Sequence, residues 1–178
     1  MKKKMALVLC VGILLFGLSG CGKQEGEKQD NKADNLAKIV LKDEGYGTTT
    51  FTYPNDLDFK IQENHSGKYT ELIINSEEKN FEWQMYHTDS TEKSYETGKE
   101  NRKNSKGFKE YEWNGKKGYI YNADKFSLDF NILLNTNEKD AKVLFGSLSY
   151  KDSTKADILN YFQSEDFQKI MNTIEFTE

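Results

Sequence analysis

Two histidines are the only imidazoles in this chain of 178 residues, and they are where acid–base chemistry would have to start. His87 stands at the end of an apolar-alternating run, with Asp89 and Ser90 close behind it. A carboxylate beside an imidazole can orient it by a hydrogen bond. A hydroxyl, an imidazole and a carboxylate act as a nucleophilic relay only when their geometry assembles them, and adjacency in sequence does not supply that geometry. No Gly-x-Ser-x-Gly elbow is present to expose a serine. His65 sits in Asn64-His65-Ser66-Gly67, a turn composition, and reads as a solvated loop residue. Carboxylates are many but interleaved with lysines. Asp43-Glu44 and Glu77-Glu78-Lys79 read as turns. Asp56 with Asp58, or Asn135, Asn137, Glu138 and Asp140, hold enough oxygens for calcium, yet neither set has the spacing of an EF-hand loop. Polar turns are therefore the plainer reading, and no metal or cofactor is expected. A pair of acids able to cleave a glycosidic bond would come together only in the fold, and no pair stands out.

Cysteine is decided by position. Met1 to Lys4 is basic, Met5 to Phe16 is an apolar run of signal-peptide length, and Leu18-Ser19-Gly20-Cys21 follows directly. These four residues resemble the lipobox of bacterial lipoproteins. That resemblance implies cleavage before Cys21, removal of residues 1–20 and a diacylglyceryl group on the Cys21 thiol, with the protein on the extracytoplasmic side of the membrane. Two acyl chains anchor far better than one, because each buried methylene adds about 0.8 kcal/mol. Cys10 leaves with the leader, so the exported domain has no thiol for a disulfide, a metal or a nucleophile. The remaining 158 residues carry 22 basic and 29 acidic side chains, a net charge of −7. A negative body of this kind excludes a duplex nucleic-acid partner, which needs a basic face.

Residues 21–35 form the lipidated cysteine and a tether. Gly22 to Asn35 has Ala33 as its only apolar side chain and buries too little surface to order itself. Its 14 residues reach about 50 Å when extended. Residues 36–178 are expected to form one globular domain, with 22 aromatic residues supplying much of its core.

Within that domain strand patterns dominate. Phe126, Leu128, Phe130, Ile132 and Leu134 alternate with period two. Trp113-Asn114-Gly115-Lys116 predicts a two-residue hairpin turn, with arms over Phe108–Trp113 and Lys117–Asn122. Further strands are predicted at Thr48–Tyr53, Asp58–Gln62, Tyr69–Asn75, Phe81–His87 and Val143–Tyr150. Thr91–Lys103 predicts a polar helix. A second helix capped by Ser153 or Thr154 carries Ile158, Leu159 and Phe162, and a third restarts at Ser164 before a short strand at Ile174 and Phe176. The aromatics Trp83, Tyr111, Trp113, Tyr119 and Tyr121 fall on strands. Core packing is their expected role, although across the Asn-Gly turn the hairpin's four could form a cross-strand ladder able to stack on sugar rings.

The order of Phe51-Thr52-Tyr53-Pro54, the Asn114 to Tyr119 hairpin, the long alternating strand and a final helix running from Phe167 to Ile174 resembles the PsbP-like fold. The family often places a tryptophan after the Tyr-Pro pair, where this chain has Leu57 and Phe59. The resemblance implies an α+β domain, an antiparallel sheet flanked by helices in an α/β/α sandwich, and membership among accessory proteins that bind partners without a shared catalytic residue. The expectation from sequence is a lipid-anchored, non-catalytic envelope module that binds a protein or small ligand, with an acidic-residue envelope hydrolase as the alternative.

Overall fold

The computed structural model describes residues 35–66, 69–136, 139–151 and 157–178. The leader, Cys21, the tether short of Asn35, the Ser153 or Thr154 cap, and Asn137 with Glu138 lie outside the described residues. Ten strands form two antiparallel sheets. β1 (Leu36–Asp43), β2 (Gly47–Pro54) and β10 (Glu175–Thr177) make a small sheet with β2 in its centre. The large sheet contains β3 (Phe59–Ser66), β4 (Tyr69–Ser76), β5 (Phe81–Ser90), β6 (Lys109–Trp113), β7 (Lys116–Tyr121), β8 (Ser127–Leu133) and β9 (Ala141–Tyr150). Its order is β3-β4-β5-β9-β8-β7-β6, so β5 and β9 join two hairpin-built halves. Three short helices complete the fold: α1 (Glu92–Arg102), α2 (Ile158–Gln163) and α3 (Glu165–Met171).

The α/β/α sandwich expected from the resemblance is not what forms. Strands hold 54% of the described residues and helices 18%, in two sheets with three short helices. One cause is visible in the residues. The stretch Leu36-Ala37-Lys38-Ile39-Val40-Leu41-Lys42-Asp43 alternates, with Ile39, Leu41 and Asp43 inward, and supplies a strand that the sequence reading passed over. The C-terminal helical stretch breaks at Ser164, whose extended backbone ends α2 and whose hydroxyl accepts from Phe167 N to begin α3.

The main core lies between the two sheets. Ile39, Leu41, Phe51 and Tyr53 of the small sheet meet Leu72, Ile74, Trp83 and Met85 of the large one, with the Phe51 and Trp83 rings 5.3 Å apart edge to face. α2 and α3 close the same core. Phe167 packs on Trp83, and Phe162 packs edge-on against both Tyr111 and Trp113. Trp113 Nε1 donates to Gln168 Oε1 at 2.9 Å, tying the hairpin to α3.

That hairpin turns as expected. Asn114 and Gly115 both take positive φ, and Trp113 pairs with Lys116. The aromatic ladder does not form. Tyr111 lies opposite Gly118, and Trp113 shares its face, whereas Tyr119 lies opposite Glu110 on the other side of the sheet. A methyl at Gly118 would fall 2.4 Å from a Trp113 ring carbon, so glycine is what lets the indole lie across β7. All four aromatics are core: Trp113 and Tyr111 under α2, Tyr119 and Tyr121 beneath α1 with Tyr95 and Val143.

Candidate functional site

Alternation along β5 aims Phe81, Trp83, Met85 and His87 into the space between the sheets. The strand therefore carries an imidazole to the end of the core, where β1 delivers Asp43 and β2 delivers Thr49. Asp43 Oδ2 lies 2.6 Å from His87 Nδ1, and Thr49 Oγ1 lies 2.7 Å from His87 Nε2. The other Asp43 oxygen accepts from Thr70 N at 2.7 Å. A carboxylate beside Nδ1 requires the proton there, so Nε2 accepts from the Thr49 hydroxyl. Burial is the dominant influence on His87 and holds its pKa below the usual histidine value, against the opposing pull of Asp43. The imidazole is thus neutral at pH 7.

Carboxylate, imidazole and hydroxyl connected in that order share the connectivity of a nucleophilic relay. Its surroundings deny it a substrate. Thr49 is 0% and His87 1% exposed. Thr49 sits where β2 pairs with β1 on one side and β10 on the other, so the strand ladders occupy the backbone that an oxyanion hole would need. Above the imidazole Tyr46 stacks at 6.4 Å and an interplanar angle of 9°, and Phe176 meets it edge-on at 6.2 Å. Lys142 Nζ covers the Tyr46 ring at 5.2 Å and is held there by Asp89 at 2.6 Å and Asp140 at 2.9 Å. The cluster reads as a polar rivet joining four strands from two sheets.

The sequence reading placed Asp89 and Ser90 beside His87; the fold separates them from it. Asp89 serves Lys142, and the Ser90 hydroxyl donates to the Thr91 carbonyl. Asp43, read as a turn residue, is the true partner of His87. Its signal was present as the third inward position after Ile39 and Leu41. His65 is solvated, but it lies on β3 opposite Thr70 and not in the expected loop, with Thr70 Oγ1 3.3 Å from its Nδ1.

Three of the calcium candidates, Asp58, Asp140 and Asn135, already serve protein groups. Asp58 accepts from the Ser76 hydroxyl and from Glu78 N, which lowers its pKa and caps the β4–β5 turn. Asp140 pairs with Lys142, and Asn135 Oδ1 accepts from Lys142 N. Asp56 lies apart from Asp58's bonds, on the rim of an apolar cleft. Among the described residues no group of three or more His, Cys, Asp or Glu side chains comes together to hold a metal.

That cleft, of about 460 Å³, opens between the end of β2 and α3. Leu36, Tyr53, Pro54, Leu57 and Ile170 line it, and Asp56, Asp166 and Lys169 stand at its mouth. Its size and apolar lining with few polar groups are those of a small-molecule pocket. Leu36 is 55% exposed on its wall, an apolar side chain left to solvent at the first position of β1. Compared with known protein families, curated proteins and solved structures, the chain matches none of them.

Proposed function

We propose that this chain is a lipid-anchored extracytoplasmic module that binds a ligand or partner and does not turn it over. The observation that carries the reading is the contrast between a sealed imidazole relay and an open apolar cleft. The close-packed chain of Asp43, His87 and Thr49 is closed to solvent at its hydroxyl, while a pocket of ligand size lies open beside Leu36. The anchor rests on Leu18-Ser19-Gly20-Cys21 and the basic and apolar segments before it. No helix among the described residues is long and apolar enough to cross a membrane.

The hydrolase alternative loses ground on charge. A general acid needs a raised carboxyl pKa. Asp58, Asp89, Asp124 and Glu165 are all held low, by hydrogen bonds or lysine partners. Asp89 and Asp140 are bridged by Lys142, and Glu96 and Glu110 by Lys99.

Thermal unfolding of the full chain in detergent micelles, against envelope saccharides, peptides and apolar amines, tests the binding reading. A ligand at 100 times its dissociation constant adds about 2.7 kcal/mol. Leu36→Ser and Leu57→Ser should abolish that shift without unfolding the domain. Turnover of any panel member that survives Thr49→Val and is lost on neutralising one carboxylate would replace this reading with the hydrolase.

A further inference from the structure

On the opposite face of the large sheet, beneath α1, lies a second cavity of about 190 Å³. Three separate features converge on it.

Asn131 on β8 is 4% exposed and borders the cavity. Its Nδ2 donates to the Tyr119 hydroxyl at 2.7 Å, and its Oδ1 is buried with no partner. Turning the amide over exchanges the two atoms and leaves the other one orphaned. Buried amides with one half unsatisfied are rare in native proteins and call for a group to fill the gap.

Arg102 is the single arginine among 25 basic residues. It makes no ion pair among the described residues. One guanidinium nitrogen donates to the Gly98 carbonyl at 3.2 Å, and the group lies 4.6 Å over the Tyr121 ring. The guanidinium also reaches the Tyr121 hydroxyl, and no carboxylate among the described residues pairs with its planar fork, the geometry best suited to one.

Gly98 sits inside α1, where glycine costs helix stability relative to alanine. Nothing local demands it. A methyl there would stand 3.5 Å from both Arg102 Nη1 and the Tyr119 oxygen, ordinary contact distances. An alanine would fit, strengthen the helix and close the roof over these two groups. The glycine keeps that roof open.

We propose that this cavity binds a small carboxylate bearing a neighbouring hydroxyl or amino group. The carboxylate takes the Arg102 fork, and the neighbouring group takes the orphaned half of the Asn131 amide and the Tyr119 hydroxyl. An apolar cavity of about 150 Å³ takes benzene, so the volume here admits a molecule of roughly six to ten non-hydrogen atoms. Asp89 also lines the cavity, and Lys142, which it shares with Asp140, offsets only part of its charge, so the Arg102 fork has to carry the anion. The site is distinct from the apolar cleft and does not depend on it.

The test is a titration of the ¹⁵N-labelled full chain in detergent micelles with lactate and alanine, using acetate and phosphate as comparisons. The Asn131 side-chain amide and the Arg102 Nε–H are the reporters. Lactate or alanine should move both with one dissociation constant and more tightly than acetate. Arg102→Lys should weaken that constant by about tenfold or more, since lysine keeps the charge and loses the fork. Gly98→Ala should do the same while raising the melting temperature. The proposal is overturned if neither reporter moves in the millimolar range, or if phosphate moves both as well as lactate does. It is equally overturned if Gly98→Ala stabilises the protein and leaves the titration unchanged, which would mark a cavity that holds water alone.

Discussion

Asp43→Ala against Asp43→Asn is the sharpest probe of the polar rivet between the sheets. Asp43 accepts two buried bonds, from Thr70 N and from His87 Nδ1. Alanine orphans both donors. Each orphaned buried group costs about 1–3 kcal/mol, so the variant should lose about 2–6 kcal/mol, a large share of the roughly 5–15 kcal/mol typical of a domain. Asparagine behaves differently. Its oxygen keeps the Thr70 bond, and its NH₂ donates to Nδ1 once the imidazole proton moves to Nε2, where the Thr49 oxygen accepts it. Thr70 N and both imidazole nitrogens stay paired while the Thr49 hydroxyl proton loses its acceptor, and the loss should be about 1 kcal/mol, near the ordinary worth of one hydrogen bond. Urea unfolding of the full chain reads the stabilities, and imidazole ¹⁵N shifts read the tautomer. If the alanine variant is as stable as the asparagine variant, or if the tautomer does not change in Asp43→Asn, the rivet does not work as described.

Three further outcomes follow from the same coordinates. Burial lowers the folded-state pKa of His87 below 6.5, so between that folded value and 6.5 the unfolded chain binds a proton that the folded chain refuses. Stability should therefore hold above pH 6.5 and fall below it, by at most about 1.4 kcal/mol per pH unit; urea unfolding on both sides of pH 6.5 checks this. Gly118→Ala drives a methyl to 2.4 Å from the Trp113 ring, and should cost about 1–3 kcal/mol or more by overpacking, read as a lower melting temperature. Ser164→Ala removes the hydroxyl that starts α3 and should cost about 0.5–2 kcal/mol in the same assay.

Local chemistry was legible in the sequence wherever it is dictated by neighbours along the chain. The Asn114-Gly115 turn, the period-two strand through Phe130 and the restart of helix at Ser164 all follow from residues within a few positions of each other. The second sheet was not legible, because it depends on β2 pairing with both β1 and a three-residue β10 from the far end of the chain. The faces of the hairpin aromatics follow from the register of the turn: with Trp113 opposite Lys116, Tyr111 lies opposite Gly118 and Tyr119 opposite Glu110 on the other face, so the expected ladder is parted. The site followed the same rule. His87 stood out by type, but its partners Asp43 and Thr49 lie 44 and 38 residues away, and only the sheet packing brings them to its two nitrogens. Arg102 and Asn131 carried no local pattern at all. Their interest lies in what they lack in the fold, an acid for one and a full set of hydrogen bonds for the other.

Anchoring is the claim on which the functional account depends, and mass spectrometry of the N-terminal peptide from the membrane-extracted protein tests it directly. The account predicts a chain that begins at Cys21 with a diacylglyceryl group on the sulfur, and a Cys21→Ala variant that leaves the membrane fraction. A membrane-bound chain that retains Met1 or begins at an unmodified Cys21 would contradict it, as would a Cys21→Ala variant that stays bound at the wild-type level.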